Sequence, residues 1–198
     1  MTATLTSRQL KAIDTKNKIL STAMTLLEEY DFSSITINMI CKKADVSVGT
    51  FYYYFKSIDF IIIEAYKNFD LHIEALHTNE FFNSDPISNL KSVLDQQLKY
   101  TLTYDIKIIS QFYKSQISIG NEYFTSIDRY LPFLMKSFIE NAKENNLITS
   151  NLDTKDLISD LLCISRGCIY NSCLKNNTDM LVENGNKLIN IYINSFEI

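Results

Sequence analysis

The chain has 198 residues, of which 46% are hydrophobic, with only 4 Gly and 2 Pro and a formal net charge of −4. So few chain breakers exclude a fold of many short strands and turns and suit long helices around a sizeable core. No apolar run approaches the roughly 18 residues of a membrane span, and Met1 to Lys11 lacks the apolar segment of a secretion signal. A cytoplasmic chain with four reduced cysteines (Cys41, Cys163, Cys168, Cys173) is therefore expected.

Catalytic and metal signatures are missing from the sequence. It holds no Gly-rich phosphate loop, no HExxH, no nucleophile elbow and no CxxC pair. His72 and His77 are five apart, which is not the i, i+4 spacing of a helical metal pair. No enzyme activity, cofactor or metal is expected. Charge is uneven along the chain. Residues 1–60 carry 7 Lys/Arg against 6 Asp/Glu, and residues 61–198 carry 12 against 17. A slightly basic head on an acidic body is a weak pointer to nucleic acid at the N-terminal end.

In chain order, residues 1–13 are polar and are expected to be flexible. A first helix is predicted from Asp14 to Tyr30, with Ile19, Leu20, Ala23, Leu26 and Leu27 inward. Lys16 and Lys18 near its start are either solvated or candidates for phosphate contact. A turn at 31–34 leads to a second helix, where Ile37, Ile40, Cys41 and Ala44 fall at i, i+3, i+4 and i+7 behind a capping Thr36. Asp45 suits a left-handed turn, and Ser47 caps a third helix from Val48 to Phe55. On a wheel at 100° per residue, Phe51, Tyr54 and Phe55 share the inner side. Gly49, Thr50, Tyr52 and Tyr53 share the outer side, which carries hydroxyls and rings and no charge. Two short helices about a tight turn are either a plain helical corner or a helix-turn-helix whose second helix enters a major groove. Exposed tyrosines favour the second.

Further on, a helix is predicted over 58–77, and another from Pro86 to Thr103. A third runs from Asp105 to Ile119, stopped at Gly120-Asn121. A long helix from Tyr123 to Asn145, kinked near Pro132, comes next. Two last helices are predicted at Thr154–Lys175 and Thr178–Phe196. The middle region is rich in rings, including Tyr100, Tyr104, Phe112, Tyr113, Phe124 and Phe133. Such stripes serve either as core packing or as the wall of an apolar ligand pocket.

The residues Thr36, Ile40, Ala44, Val46, Ser47, Gly49, Phe51, Tyr52, Tyr54 and Phe55 form a long gapless pattern. It resembles the DNA-binding domain of the TetR family of bacterial transcriptional regulators, over roughly residues 14–70. The resemblance implies an all-α protein with three parts: a flexible 1–13, a helix-turn-helix domain at 14–56, and a helical ligand-binding and dimerisation domain at 57–198. It implies that Thr36 and Lys56 meet phosphate. It further implies that Ser47, Val48, Gly49, Thr50, Tyr52, Tyr53 and Tyr54 belong to the DNA-contacting helix. It favours the pocket reading of the six aromatic residues, and it makes Leu161, Ile164, Gly167, Cys168, Leu188, Ile191 and Tyr192 candidates for a homodimer interface. The implied function is a regulator, most often a repressor, released from double-stranded operator DNA by a small hydrophobic effector. Two departures stand out: Asp45 where a turn glycine is usual, and Ile58 where a phosphate-contacting lysine is usual. Together with the uncharged groove face they support an alternative, a ligand-binding or protein-interaction protein of this fold that has lost operator recognition.

Overall fold

The computed structural model describes residues 6–79, 81–119, 122–149 and 151–198. Among these residues nine α-helices form, and the only β pairing is an isolated bridge between Ile148 and Glu197. The fold is all-α. Contacts divide the chain into a head, Met1–Tyr66, and a body, Lys67–Ile198. That boundary falls ten residues beyond the one expected from the sequence.

The head begins with α1, Ser7–Glu29. This helix starts well before Asp14, so residues 7–13 are helical where a flexible arm is expected. The cause is local. Thr6 and Gln9 form a capping box, with Gln9 N–H donating to Thr6 Oγ1 at 3.3 Å and Thr6 N–H donating to Gln9 Oε1 at 2.8 Å. The first two turns bury nothing: Leu10 and Ile13 stand 48% and 44% exposed. Packing begins at Ile19, and Ile19, Leu20, Ala23, Leu26 and Leu27 form the buried face. A 3-10 turn at Phe32–Ser34 leads to α2, Ile37–Ala44, then α3, Val48–Tyr54. The first half of α4, Ile58–Thr78, completes the head. Ile19, Ile40, Ala44, Phe51 and Ile61 are fully buried there.

The body is built on α5, Pro86–Thr101. Asp85 caps it, accepting from Ile87 N–H at 3.0 Å, and Pro86 takes the first position, where its missing N–H costs nothing. Leu90, Val93, Leu94 and Leu98 of this helix are all at or below 1% exposure. Against it pack α7 (Tyr130–Glu144), α8 (Thr154–Lys175) and α9 (Leu181–Asn194), and α6 (Ile106–Ile119) packs on α8. The stop expected at Gly120-Asn121 lies outside the described residues.

The long helix expected from Tyr123 to Asn145 is broken. Glu122–Phe124 forms a 3-10 turn, and α7 starts only at Tyr130. A proline ring deep inside a helix would collide with the carbonyl four residues earlier and remove a hydrogen bond. Starting at Tyr130 puts Pro132 in the first turn, where neither cost arises.

Arg129, just before α7, is 5% exposed and turns inward to Asp70 on α4. Its Nε donates to Asp70 Oδ2 at 2.9 Å and its Nη2 to Asp70 Oδ1 at 3.2 Å. The Tyr123 hydroxyl donates to the same carboxylate at 2.5 Å. Burial pushes the Tyr123 phenol well above its ordinary value, and the hydrogen bond to Asp70 adds to the rise.

Where α9 meets α5, Gly185 is the contact. A Cβ added there would lie 2.4 Å from Leu98 Cδ1, and Leu98 is itself fully buried. Gly185→Val is expected to destabilise the body by roughly 1–3 kcal/mol through overpacking. A thermal or denaturant unfolding curve, with circular dichroism as the signal, would check this.

Candidate nucleic-acid interface

Three local features set the geometry of α2 and α3. Thr36 Oγ1 accepts from Met39 N–H at 3.2 Å, closing the start of α2. Asp45 adopts the left-handed conformation (φ 52°, ψ 53°), and the Val46 N–H returns to the Cys41 carbonyl at 3.0 Å. Ser47 Oγ then accepts from Thr50 N–H at 3.0 Å and starts α3. Asp45 thus occupies a conformation glycine reaches without strain, tolerated because Asp is among the few side chains that enter it.

The two sides of α3 separate as the wheel requires. Phe51 is fully buried and Phe55 is 3% exposed, their rings 5.9 Å apart. Tyr53 is 80% exposed, Tyr52 55% and Val48 41%. Ser47 and Gly49 are exposed, and Thr50 is half-buried, its hydroxyl 2.8 Å from that of Ser47. Tyr54 is half-buried and meets the Tyr53 ring edge-on at 4.9 Å, so it braces Tyr53 from the inner side. The outward surface therefore comprises Val48, Gly49, Tyr52 and Tyr53, with no charged side chain on α3.

Cations surround this helix instead of lying on it. Lys56 is exposed, its ammonium 5.5 Å from the Phe60 ring centroid. Lys43 pairs with Glu29 at 2.9 Å. Lys16, a candidate for phosphate, pairs with Glu64 of α4 at 2.6 Å within the head. Lys18 is exposed. Exposed pairs of this kind are worth up to about 1 kcal/mol, so a polyanion could compete for Lys43.

The aromatic residues of the body do not form one group. Tyr100, Tyr104 and Phe112 make a chain of rings, with centroids 5.9 Å and 5.3 Å apart, and Phe69 and His72 of α4 close on Tyr100. The Tyr100 and Tyr104 hydroxyls are 3.4 Å apart. Burial pushes the Tyr100 phenol upward, and its neighbour Tyr104 adds to that. The Tyr113 hydroxyl donates to the Arg166 carbonyl at 3.0 Å, and Phe124 is buried on the 3-10 turn beside Tyr123. Phe133 stands apart. It is 55% exposed and lines a separate groove of about 650 Å³ with Ile127, Lys136, Lys155 and Ile158.

The proposed dimer residues also divide. Leu161 is fully buried in the body's own core, so it is not available to a second copy. It shares its face with Leu157, Ser165 and Ile169, one period of 3.6 along α8. Ile164, Cys168 and Tyr192 are half-buried, and Gly167 is exposed with nothing within 4 Å of an added Cβ. Leu188 and Ile191 on α9 are 49% and 59% exposed. Sequence reasoning passed over Tyr170 and Leu174, at 48% and 67% exposure. With Cys163 and Gly167 they recur at i, i+4, i+7 and i+11, a second stripe that periodicity alone could have revealed.

A capped pair of short helices with an outward ring-bearing face, joined in one chain to an all-helical body, defines a helix-turn-helix protein with a separate second domain. Residues 19–65 match the bacterial regulatory proteins of the tetR family. The Probable HTH-type transcriptional regulator YttP of Bacillus subtilis (strain 168) is 30% identical over 87 residues. The matched segment is 42% of this chain and 42% of that protein, so the chain spans about two fifths of the curated relative it matches. A TetR transcription regulator from Haloarcula marismortui superposes with a TM-score of 0.74 at 19% identity, covering 93% of this chain and 99% of that one. FadR of Thermus thermophilus, a transcriptional repressor in complex with lauroyl-CoA, gives 0.65 at 14% identity over 88% and 92%. FadR of Bacillus subtilis in complex with stearoyl-CoA gives 0.66 at 15% over 89% and 97%. At these identities the likeness of whole chains is one of fold. The family match covers the N-terminal helix-turn-helix, residues 19–65, and stops short of the body.

Phe51 is the residue on which the outward face of α3 rests. Phe51→Ala is expected to destabilise the head by about 3–5 kcal/mol. Hydrogen exchange would show lost protection in α1, α2 and α3, with α5 and α9 unchanged.

Proposed function

We propose that the chain is a homodimeric, ligand-responsive transcriptional regulator, acting in the cytoplasm as a repressor that leaves its operator when a small hydrophobic effector enters the body. The observation that carries this reading is the outward face of α3. Val48, Tyr52 and Tyr53 are exposed beside Gly49, while Phe51 beneath them is fully buried. Rings this exposed on a short capped helix add little to the packing of the chain.

In this reading Thr36, Lys56 and the backbone amides at the start of α2 hold phosphates and set register. Ser47, Val48, Gly49, Thr50, Tyr52 and Tyr53 enter the major groove, with Tyr54 as their brace. No Arg or Lys on α3 can grip guanine in a bidentate way. Readout therefore leans on methyl contacts and DNA shape, which favours A·T-rich sites. Two heads meet half-sites about 34–36 Å apart, or a multiple of that. An effector that favours a different head spacing weakens binding, and about 1.4 kcal/mol of coupling is tenfold in affinity.

The ring chain of Tyr100, Tyr104 and Phe112, with Tyr113 and Phe124, is the proposed wall of the effector site. Two relatives of the same fold were solved with the acyl thioesters lauroyl-CoA and stearoyl-CoA, which supports an effector with a long apolar part. Phe133, in its separate groove, leaves the proposed set. The dimer face comprises Gly167, Tyr170 and Leu174 of α8 with Leu188 and Ile191 of α9, and Ile164, Cys168 and Tyr192 lie at its edge. The Tyr192 phenol, pushed up to about 12 by burial and by its hydrogen bond to Asp160, stays neutral across the working range.

Two experiments test this. Tyr53→Ala is expected to abolish binding to the duplex that the native chain selects from random DNA, with stability changed by less than about 0.5 kcal/mol. A salt series on the native chain sets the reference, and failure to select any duplex at low salt would refute the regulator. Ile191→Asp is expected to convert the dimer to a monomer in sedimentation, and an unchanged mass would remove α9 from the interface.

A further inference from the structure

Gln97 is a buried polar side chain that the fold leaves unused. It stands on α5 at 4% exposure, and among the described residues its Oε1 is the one buried side-chain oxygen or nitrogen with no hydrogen-bond partner. Asn89, on the same helix at 5% exposure, is engaged at both ends of its amide. Its Nδ2 donates to the Asn83 carbonyl at 2.7 Å, and its Oδ1 accepts from Asn83 N–H at 2.9 Å. A buried amide oxygen left unpaired costs free energy that an apolar side chain of the same shape would not. Stability therefore gives no reason for Gln97.

Its place in the body does. Gln97 shares its face of α5 with Leu90 and Val93, both fully buried, and Tyr100 follows one turn later. Tyr100 begins the ring chain that continues through Tyr104 and Phe112. Hydrogen bonds fix what lies opposite. Lys91 and Asp95 of α5 bond Asn194 and Asn186 of α9 at 3.1 Å and 2.6 Å, and Tyr192 of α9 donates to Asp160 of α8. With α9 antiparallel to both helices, these ties set Gln97 within about one turn of Ser165 along the axis. Ser165 is fully buried on the inner face of α8, but its hydroxyl donates to the Leu162 carbonyl of its own helix at 3.1 Å. At the same level the Tyr113 hydroxyl donates to the Arg166 carbonyl, and Arg166 Nη2 donates to the Phe124 carbonyl at 2.7 Å. These neighbours bond backbone carbonyls, and the Gln97 oxygen is left beside the ring chain.

We propose that Gln97 is the polar anchor of the effector site: the body takes a neutral ligand whose apolar part lies on the rings and whose hydroxyl donates to Gln97 Oε1. An acceptor oxygen selects for a donor. A carboxylate brings only acceptors, and an ether brings no proton. A buried ammonium would lose its hydration with one amide dipole to offset the loss. A hydroxyl satisfies the oxygen without carrying a charge inside, and an apolar wall with few placed polar groups is how small-molecule sites are built. The proposal rests on the reading of the body as an effector-binding domain, and not on DNA binding.

The test is calorimetric titration of the full native chain, without DNA, at about pH 7, where a phenol is neutral. Three probes share one apolar part: p-butylphenol, p-butylanisole and p-butylbenzoate. The phenol is expected to bind about tenfold more tightly than either of the others. Gln97→Met keeps the length of the side chain and removes the oxygen. It should bring the phenol down to the affinity of the anisole and leave the anisole unchanged. At least one of Gln97→Met and Gln97→Leu should melt at or above the native midpoint. Equal binding of phenol and anisole by the native chain overturns the proposal and leaves the pocket standing, with ordered water as the partner of Gln97. Tightest binding of the benzoate also overturns it, as does a folded Gln97→Met chain that keeps the preference for the phenol. If both variants melt below the native chain, the amide serves the fold and the proposal falls. If the native chain binds none of the three probes, the ring chain is no effector site of this kind, and that reading fails together with the proposal.

Discussion

A helix of seven residues does not stand alone in water, where even favourable sequences need about 12–15 residues. The existence of α3 therefore depends on the burial of Phe51. With Phe51 and Phe55 inside, the 100° step leaves Tyr52 and Tyr53 no inward position. The same packing that makes the helix aims its outer face. The ring of Tyr52 meets Phe51 edge-on at 5.7 Å, and Tyr53 meets Tyr54 edge-on at 4.9 Å, so each exposed ring is braced by one from the inner side. Ser47 and Asp45 do the rest by fixing where the helix starts and how the chain reaches it.

Those features were legible because each is decided within a few residues. Thr36 and Ser47 cap the helices that follow them, and Asp45 bends the turn, as their chemistry predicts. The ends of α8 are local too: Asp153 caps its start and Asn176 closes it in the left-handed conformation. The early start of α1 was equally local, since Thr6 and Gln9 stand three apart, yet their polarity reads as a loose arm when no apolar period accompanies it. Elsewhere the deciding contacts are remote. Asp70 and Arg129 are 59 residues apart in sequence, and nothing near Arg129 marks it as buried. Helix α8 is apolar on two faces, and only its neighbours settle that Leu161 turns inward while Leu174 turns out. Likewise Phe133 and Phe112 look alike in the sequence, and the break before α7 sends them to different places.

The body shows how few polar choices organise a helical core. Helix α5 is buried along much of its length, and α9 reaches it only because Gly185 has no side chain. Beside that dry packing, the Asp70 cluster concentrates charge at one point on α4. Apolar surfaces hold the helices near one another, and the buried pair of Arg129 and Asp70 adds one directional contact among them.

The lack of charge on α3 has a consequence for how the protein would search a genome. Non-specific affinity comes almost entirely from cations facing phosphates. Here α3 offers none, Asp45 adds a negative charge at the turn, Lys16 and Lys43 must first leave Glu64 and Glu29, and Lys18 and Lys56 are exposed cations off the helix. Within the regulator reading, little of the protein is held on the vast excess of competing sequence. Sliding along DNA is correspondingly brief. Occupancy of the right site is then governed by how long the tyrosine face stays once seated.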